Sequence, residues 1–195
     1  MKKVKFIIIF LLAVAFILMP FPSADINIRL HFWGATEGNF ALYYATQTAG
    51  FSQEQCLVKA VDSERNQVTF HLDSSLEDQL SGLRLDFPAG NNVICVSNIT
   101  VSSAGIVQKQ FNPCDFFAPE NLTNQNDIDP ISLATAQNRA YVPTTGEDPY
   151  VIVAQNLLEE IRDGYSHLRL TRLGLCLFAF ACFLLYKKNL FSKEA

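Results

Sequence analysis

Residues 26 to 32 read Ile26-Asn27-Ile28-Arg29-Leu30-His31-Phe32, with apolar and polar side chains alternating without a break. Successive side chains of a strand point to opposite faces, so this period of two predicts a half-buried β-strand. Its inward set is Ile26, Ile28, Leu30 and Phe32.

The same period recurs along the chain. Phe40, Leu42 and Tyr44 repeat it, as do Val68, Phe70 and Leu72, and then Leu83, Leu85 and Phe87. Cys56 to Val61 reads as a short strand, Val93 to Val101 as a longer β-branched one, and Ile106 to Phe111 as another. Turn-forming clusters separate the runs: Thr36-Glu37-Gly38-Asn39, Asp62-Ser63-Glu64-Arg65-Asn66 and Pro88-Ala89-Gly90-Asn91-Asn92. Many short strands between such turns predict a mainly β fold, an antiparallel β-sandwich over residues 25–147, and not a βαβ arrangement. No phosphate-binding glycine loop is present.

Residues 112–147 are rich in Asn, Gln, Asp, Thr and Pro. They predict a long polar loop with a short helix near Ile131 to Ala140. Asp148-Pro149 has the form of a helix start, an N-cap followed by proline in the first turn. A connecting amphipathic helix is predicted over 148–167, with Val151, Ile152, Leu157, Leu158 and Ile161 on its apolar side.

Both ends are apolar. Residues 4 to 22 hold no polar side chain between Phe6 and Met19. As a helix they would span about 28 Å, close to the hydrocarbon thickness. Residues 1–24 predict an N-terminal transmembrane anchor, or a cleaved signal peptide. Residues 168–187 predict a C-terminal transmembrane helix, with Arg169 and Arg172 snorkelling to its outer edge. Lys5 bounds the first segment; Tyr186, Lys187 and Lys188 bound the second and lead into a basic cytoplasmic tail, residues 188–195. The expectation is a bacterial cell-membrane protein with an extracytoplasmic central domain and both termini cytoplasmic. Signal cleavage would make it type I instead.

Charge sharpens that orientation. Of eight lysines, Lys2, Lys3, Lys5, Lys187, Lys188 and Lys193 lie at the ends. Between Ser23 and His167 there are seven basic and eighteen acidic residues, a net charge of −11. Nucleic-acid binding needs clustered Lys and Arg, so no nucleic-acid partner is expected. Neutral ligands, cations or basic partners fit an acidic domain better.

Cys56, Cys95 and Cys114 leave open one disulfide or three free thiols, and Cys176 and Cys182 read as small apolar residues. His31, His71 and His167 are scattered, and Asp127-Ile128-Asp129 lacks the ligand series of a calcium loop, so no cofactor or metal is expected. No catalytic elbow such as Gly-x-Ser-x-Gly occurs, and no enzyme is expected. Trp33, Tyr43, Tyr44 and Phe51 cluster near two early turns. Aromatic faces of this kind stack on sugar rings, which makes these four the candidate ligand-binding residues, with Tyr43 the one out of phase with the inward set. Asn98-Ile99-Thr100 and Asn121-Leu122-Thr123 match the glycosylation sequon and are read as coincidence.

Asn39-Phe40-Ala41-Leu42-Tyr43-Tyr44, then Gly50-Phe51-Ser52, Leu83-Arg84-Leu85-Asp86-Phe87-Pro88 and Asp148-Pro149-Tyr150 occur in that order. This series resembles the extracytoplasmic, jelly-roll-like β-sandwich domains of bacterial membrane proteins associated with cell-surface polysaccharide and glycosyltransferase systems. The resemblance covers about residues 25 to 155. It implies a carbohydrate-binding-like module accessory to envelope polysaccharide assembly, with an envelope glycan or a membrane glycosyltransferase as partner. The alternative is a structural or protein-interaction module of the envelope without glycan affinity.

Overall fold

The computed structural model describes residues 25–161, except 36, 63, 77–78 and 104–105. Eleven strands build it: β1 (Ile26–Trp33), β2 (Asn39–Thr46), β3 (Cys56–Ala60), β4 (Gln67–Leu72), β5 (Leu80–Asp86), β6 (Asn92–Ser103), β7 (Ile106–Phe111), β8 (Leu122–Asn126), β9 (Ser132–Ala134), β10 (Arg139–Thr144) and β11 (Tyr150–Val153). They form two antiparallel sheets. Sheet A runs β4-β1-β6-β10-β9, and sheet B runs β3-β2-β5-β11-β8. The long β6 pairs with β10 through its first half and with β7 through its second. The fold is mainly β, as the alternating runs predict.

The two strand orders match station by station. β4 lies where β3 lies in the other sheet, β1 where β2 lies, β6 where β5 lies, β10 where β11 lies and β9 where β8 lies. At each station the two strands are consecutive in the chain, and seven of the ten connections between successive strands cross between the sheets.

The predicted inward set of β1 is the buried one: Ile26, Ile28, Leu30 and Phe32 are all at most 5% exposed. Both sheets contribute to one core. A chain of phenylalanine rings runs through it, with centroid separations of 4.7 Å for Phe32–Phe40, 5.9 Å for Phe40–Phe87 and 6.3 Å for Phe87–Phe117. It continues through Phe116 at 5.1 Å and on to Phe111 at 5.7 Å. Tilted and edge-on ring pairs at these spacings contribute about 1 kcal/mol each beyond the area they bury. Gly34, which follows β1, has φ +94°, and a Cβ there would lie 2.1 Å from the Val93 carbonyl oxygen. Only glycine permits that backbone approach.

Three expectations need correction. Residues 112–147 are not one long loop: they contain β8, β9 and β10, and a one-turn helix, α1 (Pro113–Phe116), capped by the Asn112 carboxamide accepting from the Cys114 N–H at 2.9 Å. No helix forms over 131–140 beyond the single 3-10 turn Thr135–Gln137; β9 and β10 occupy the rest. Nor does a helix start at Asp148-Pro149. The β-branched run Tyr150-Val151-Ile152-Val153 is β11, held between β5 and β8, and helix begins only at residue 155. The described part of that helix, α2 (residues 155–161), buries Leu157, Leu158 and Ile161.

Among the described residues no helix is long and apolar enough to cross a membrane. The terminal apolar segments, with Lys5, Arg169, Arg172, Tyr186, Lys187 and Lys188, lie outside the described residues, as do His167, Cys176 and Cys182. Cys56, Cys95 and Cys114 are free thiols.

Candidate functional site

Alternation along β2, β5 and β11 puts one set of side chains in the core and the other on the outer face of sheet B. The register opposes Tyr43 to Arg84 and Arg84 to Ile152, and in the next row Ala41 to Asp86 and Asp86 to Tyr150. Cys56 and Val58 flank these rows on β3, and Asn124 and Asn126 flank them on β8.

Arg84 organises this face. Its guanidinium carbon lies 3.7 Å from the Tyr150 ring centroid and 5.0 Å from that of Tyr43. Nε and Nη2 donate to the two carboxylate oxygens of Asp86 at 2.7 and 2.8 Å, and Nη2 also donates to Asp148 at 2.7 Å. A planar fork suits this bidentate pairing and stacking together. The Arg84 and Asp86 side chains are only 20% and 14% exposed. Burial opposes the Arg84 charge, but the hydrogen bonds and ion pairs to Asp86 and Asp148 outweigh it and raise its pKa. The two partners do not respond alike. At Asp86 burial is the larger effect, and the carboxyl is lifted above its ordinary range despite Arg84. Asp86 is the deeper of the two, which is why desolvation prevails there.

The Tyr43 hydroxyl accepts from the Gln53 carboxamide at 3.0 Å. Its hydrogen bond with Cys56, and then burial, raise its pKa. Phe51 covers the same face further along: its ring fills the space that a side chain at Gly82 would take, 3.1 Å from such a Cβ. Beside the Arg84 cluster opens a cleft of about 460 Å³ lined by the carboxylates Glu37, Asp86, Glu147 and Asp148, with Asn39 and Asn92.

The four predicted ligand residues therefore separate. Tyr43 and Phe51 share the outer face of sheet B. Tyr44 has the inward phase and packs, half-buried, against the core. Trp33 is 43% exposed and lies on the other sheet, where Arg139 stacks on it. The sequence reading did not single out Arg84, Asp86, Asp148 or Tyr150 as site residues. The signal for two of them was there: in Leu83-Arg84-Leu85-Asp86-Phe87 the alternation that buries the apolar residues sets Arg84 and Asp86 side by side outside.

His31 and His71 share the outer face of sheet A, where His71 is hydrogen-bonded to Asn27. Asp127 is used in a turn, accepting from the Asp148 N–H at 3.1 Å. Among the described residues no group of three or more His, Cys, Asp or Glu side chains is placed to hold a metal ion.

No protein-family profile matches the chain, and no curated protein or solved structure is significantly similar to it.

Proposed function

We propose that this chain is a membrane-anchored, extracytoplasmic module of the bacterial cell envelope that holds glycan on the outer face of sheet B and so assists polysaccharide assembly. One observation carries the reading: tyrosine rings and a stacked guanidinium stand beside a cleft rimmed with carboxylates and carboxamides. Aromatic faces suit the C–H faces of sugar rings, and carboxylate and amide oxygens accept from sugar hydroxyls. In this reading the module assists and does not catalyse.

The finer form of the sandwich belongs to the same reading. A jelly roll wraps antiparallel strands so that each crosses to the partner sheet. The station-by-station match of the two strand orders supports that form. The two apolar termini and the lysines beyond them support the membrane anchor.

The test is a glycan array probed with the full chain, followed by titration of the best ligand. Tyr43→Ala and Tyr150→Ala are each expected to weaken binding about tenfold, the loss of one good ring contact. A second reading, a protein-interaction module without glycan affinity, is favoured by Arg84 already occupying a face of both tyrosines. An empty array together with co-purification of a membrane glycosyltransferase would decide for it.

A further inference from the structure

The domain is acidic, yet its acid is unevenly placed. None of the six strands of sheet A contains Asp or Glu. Its strands contain Arg29, His31, His71, Lys109 and Arg139 instead. Lys109 is neutralised by Glu160 at 3.0 Å. Arg29 and Arg139 have no carboxylate partner among the described residues: Arg29 donates to the Thr69 hydroxyl at 3.2 Å, and Arg139 stacks on Trp33 at 5.2 Å.

The register places these groups on one face. Arg29 pairs with Thr69 on β4 and Thr100 on β6, and His31 pairs with Gln67 and Asn98. Trp33 pairs with Cys95, which pairs with Tyr141 on β10. Alternation turns these side chains outward, with Cys95 covered over, since Ile28, Leu30 and Phe32 face the core. At one end is an exposed ring with a guanidinium on it. At the other is a second guanidinium, four residues and about 13 Å away along the strand. Hydroxyls and carboxamides lie between them.

We infer that the outer face of sheet A is a docking face for an anionic polysaccharide, a chain of carboxylate-bearing sugar rings. Charge complementarity selects the sign, because two unpaired guanidiniums on a carboxylate-free face attract carboxylates and pair with them bidentately. The hydroxyl and carboxamide ladder selects sugar, because it offers partners for ring hydroxyls. The separation of Arg29 from Trp33 selects a polymer, because one ring cannot reach both ends. Among the described residues, Asp25, Asp62, Glu64 and Asp73 lie outside the ends of β1 and β4, and Asp127 and Asp129 lie in the connection before β9. This inference stands independently of glycan binding by sheet B.

The experiment uses the full chain in nonionic detergent, titrated with polygalacturonate and with its fully methyl-esterified form, which keeps the backbone and removes the charge. The acid is expected to bind about tenfold more tightly than the ester, and the preference is expected to shrink as salt rises. Arg29→Gln with Arg139→Gln should abolish the preference, Trp33→Ala should weaken both polymers, and Lys59→Gln, which removes an exposed charge from β3 of the other sheet, should change neither. Equal binding of acid and ester, no binding of either, or a preference retained in the double variant each overturns the inference. So does stronger capture by phosphatidylglycerol vesicles than by the polymer. If the double variant melts early, the wild-type chain decides: a preference untouched by high salt overturns the inference.

Discussion

Arg84 and Arg139 lie on opposite faces of the sandwich and do similar things with different neighbours. Each rests its guanidinium on aromatic rings, Arg84 on Tyr150 and Tyr43, Arg139 on Trp33. Arg84 is largely buried and held by two carboxylates, whereas Arg139 meets none among the described residues. A cation whose charge is already matched is a fastener; one whose charge is unmatched at a surface is open to a ligand. The same side chain on the same kind of ring is therefore neutralised by carboxylates on one face and left without one, among the described residues, on the other.

The sharpest way to break this contrast is to remove each arginine in turn. Arg84→Met strands a mostly buried Asp86 carboxylate and is expected to cost about 2–3 kcal/mol in urea unfolding, somewhat less than a fully buried pair. Arg139→Met is expected to cost under about 1 kcal/mol, since only a partly exposed ring contact is lost. Equal losses would erase the distinction between the faces.

Gly34 links the end of β1, and so Trp33, to Val93. Gly34→Ala meets both a left-handed φ and the Val93 carbonyl, and an unfolding free energy lower by about 2 kcal/mol is expected. Quenching of Trp33 fluorescence by iodide should rise as that end of sheet A loosens.

Asp86 sharpens the picture of sheet B. Its folded pKa is raised, so the folded chain takes up this proton more readily than the unfolded one. Its contribution to stability is thus present below the unfolded value and lost as pH rises through the folded value. Asp86→Asn should cost less than Arg84→Met at neutral pH, about 1 kcal/mol, and should remove the gain that the wild type shows on mild acidification. Stability measured against pH for both chains checks the sign.

The smallest effect belongs to Asp73, fully exposed, whose carboxylate accepts from the Ser75 N–H at 2.7 Å. That backbone bond lowers its pKa, so its contribution holds above the unfolded value and fades as pH falls through the folded one. Asp73→Asn should shift the melting temperature only slightly, and less still at acid pH.

The early part of the fold was readable because β1, β2, β4 and β5 carry their burial in their sequence: where one face is core and the other solvent, alternation is unavoidable. The later part was not. β8 reads Leu-Thr-Asn-Gln-Asn, and as an edge strand it buries only part of Leu122, so its sequence looks like loop. β9 has three residues, too few for any period. β10 does alternate, with Ala140, Val142 and Thr144 buried, but Pro143 and small inward residues disguise it. At β11 a sound capping pattern, Asp148-Pro149, competed with a β-branched run, and the vacancy between β5 and β8 decided for strand. The site was half legible. Its exposed aromatics could be picked out singly, but which of them share a face depends on strand order, and that is set by contacts distant in sequence.

The matched strand orders have a last consequence. Because the chain crosses between sheets at each of the five stations, neither sheet is assembled from a continuous piece of sequence. The sandwich cannot open like a book, one leaf surviving while the other frays, since every hinge is also a strand connection. Its two leaves must form and melt as a single cooperative event. The long loops closed along the way make that event slow, and the unpaired edges are exposed for as long as it lasts.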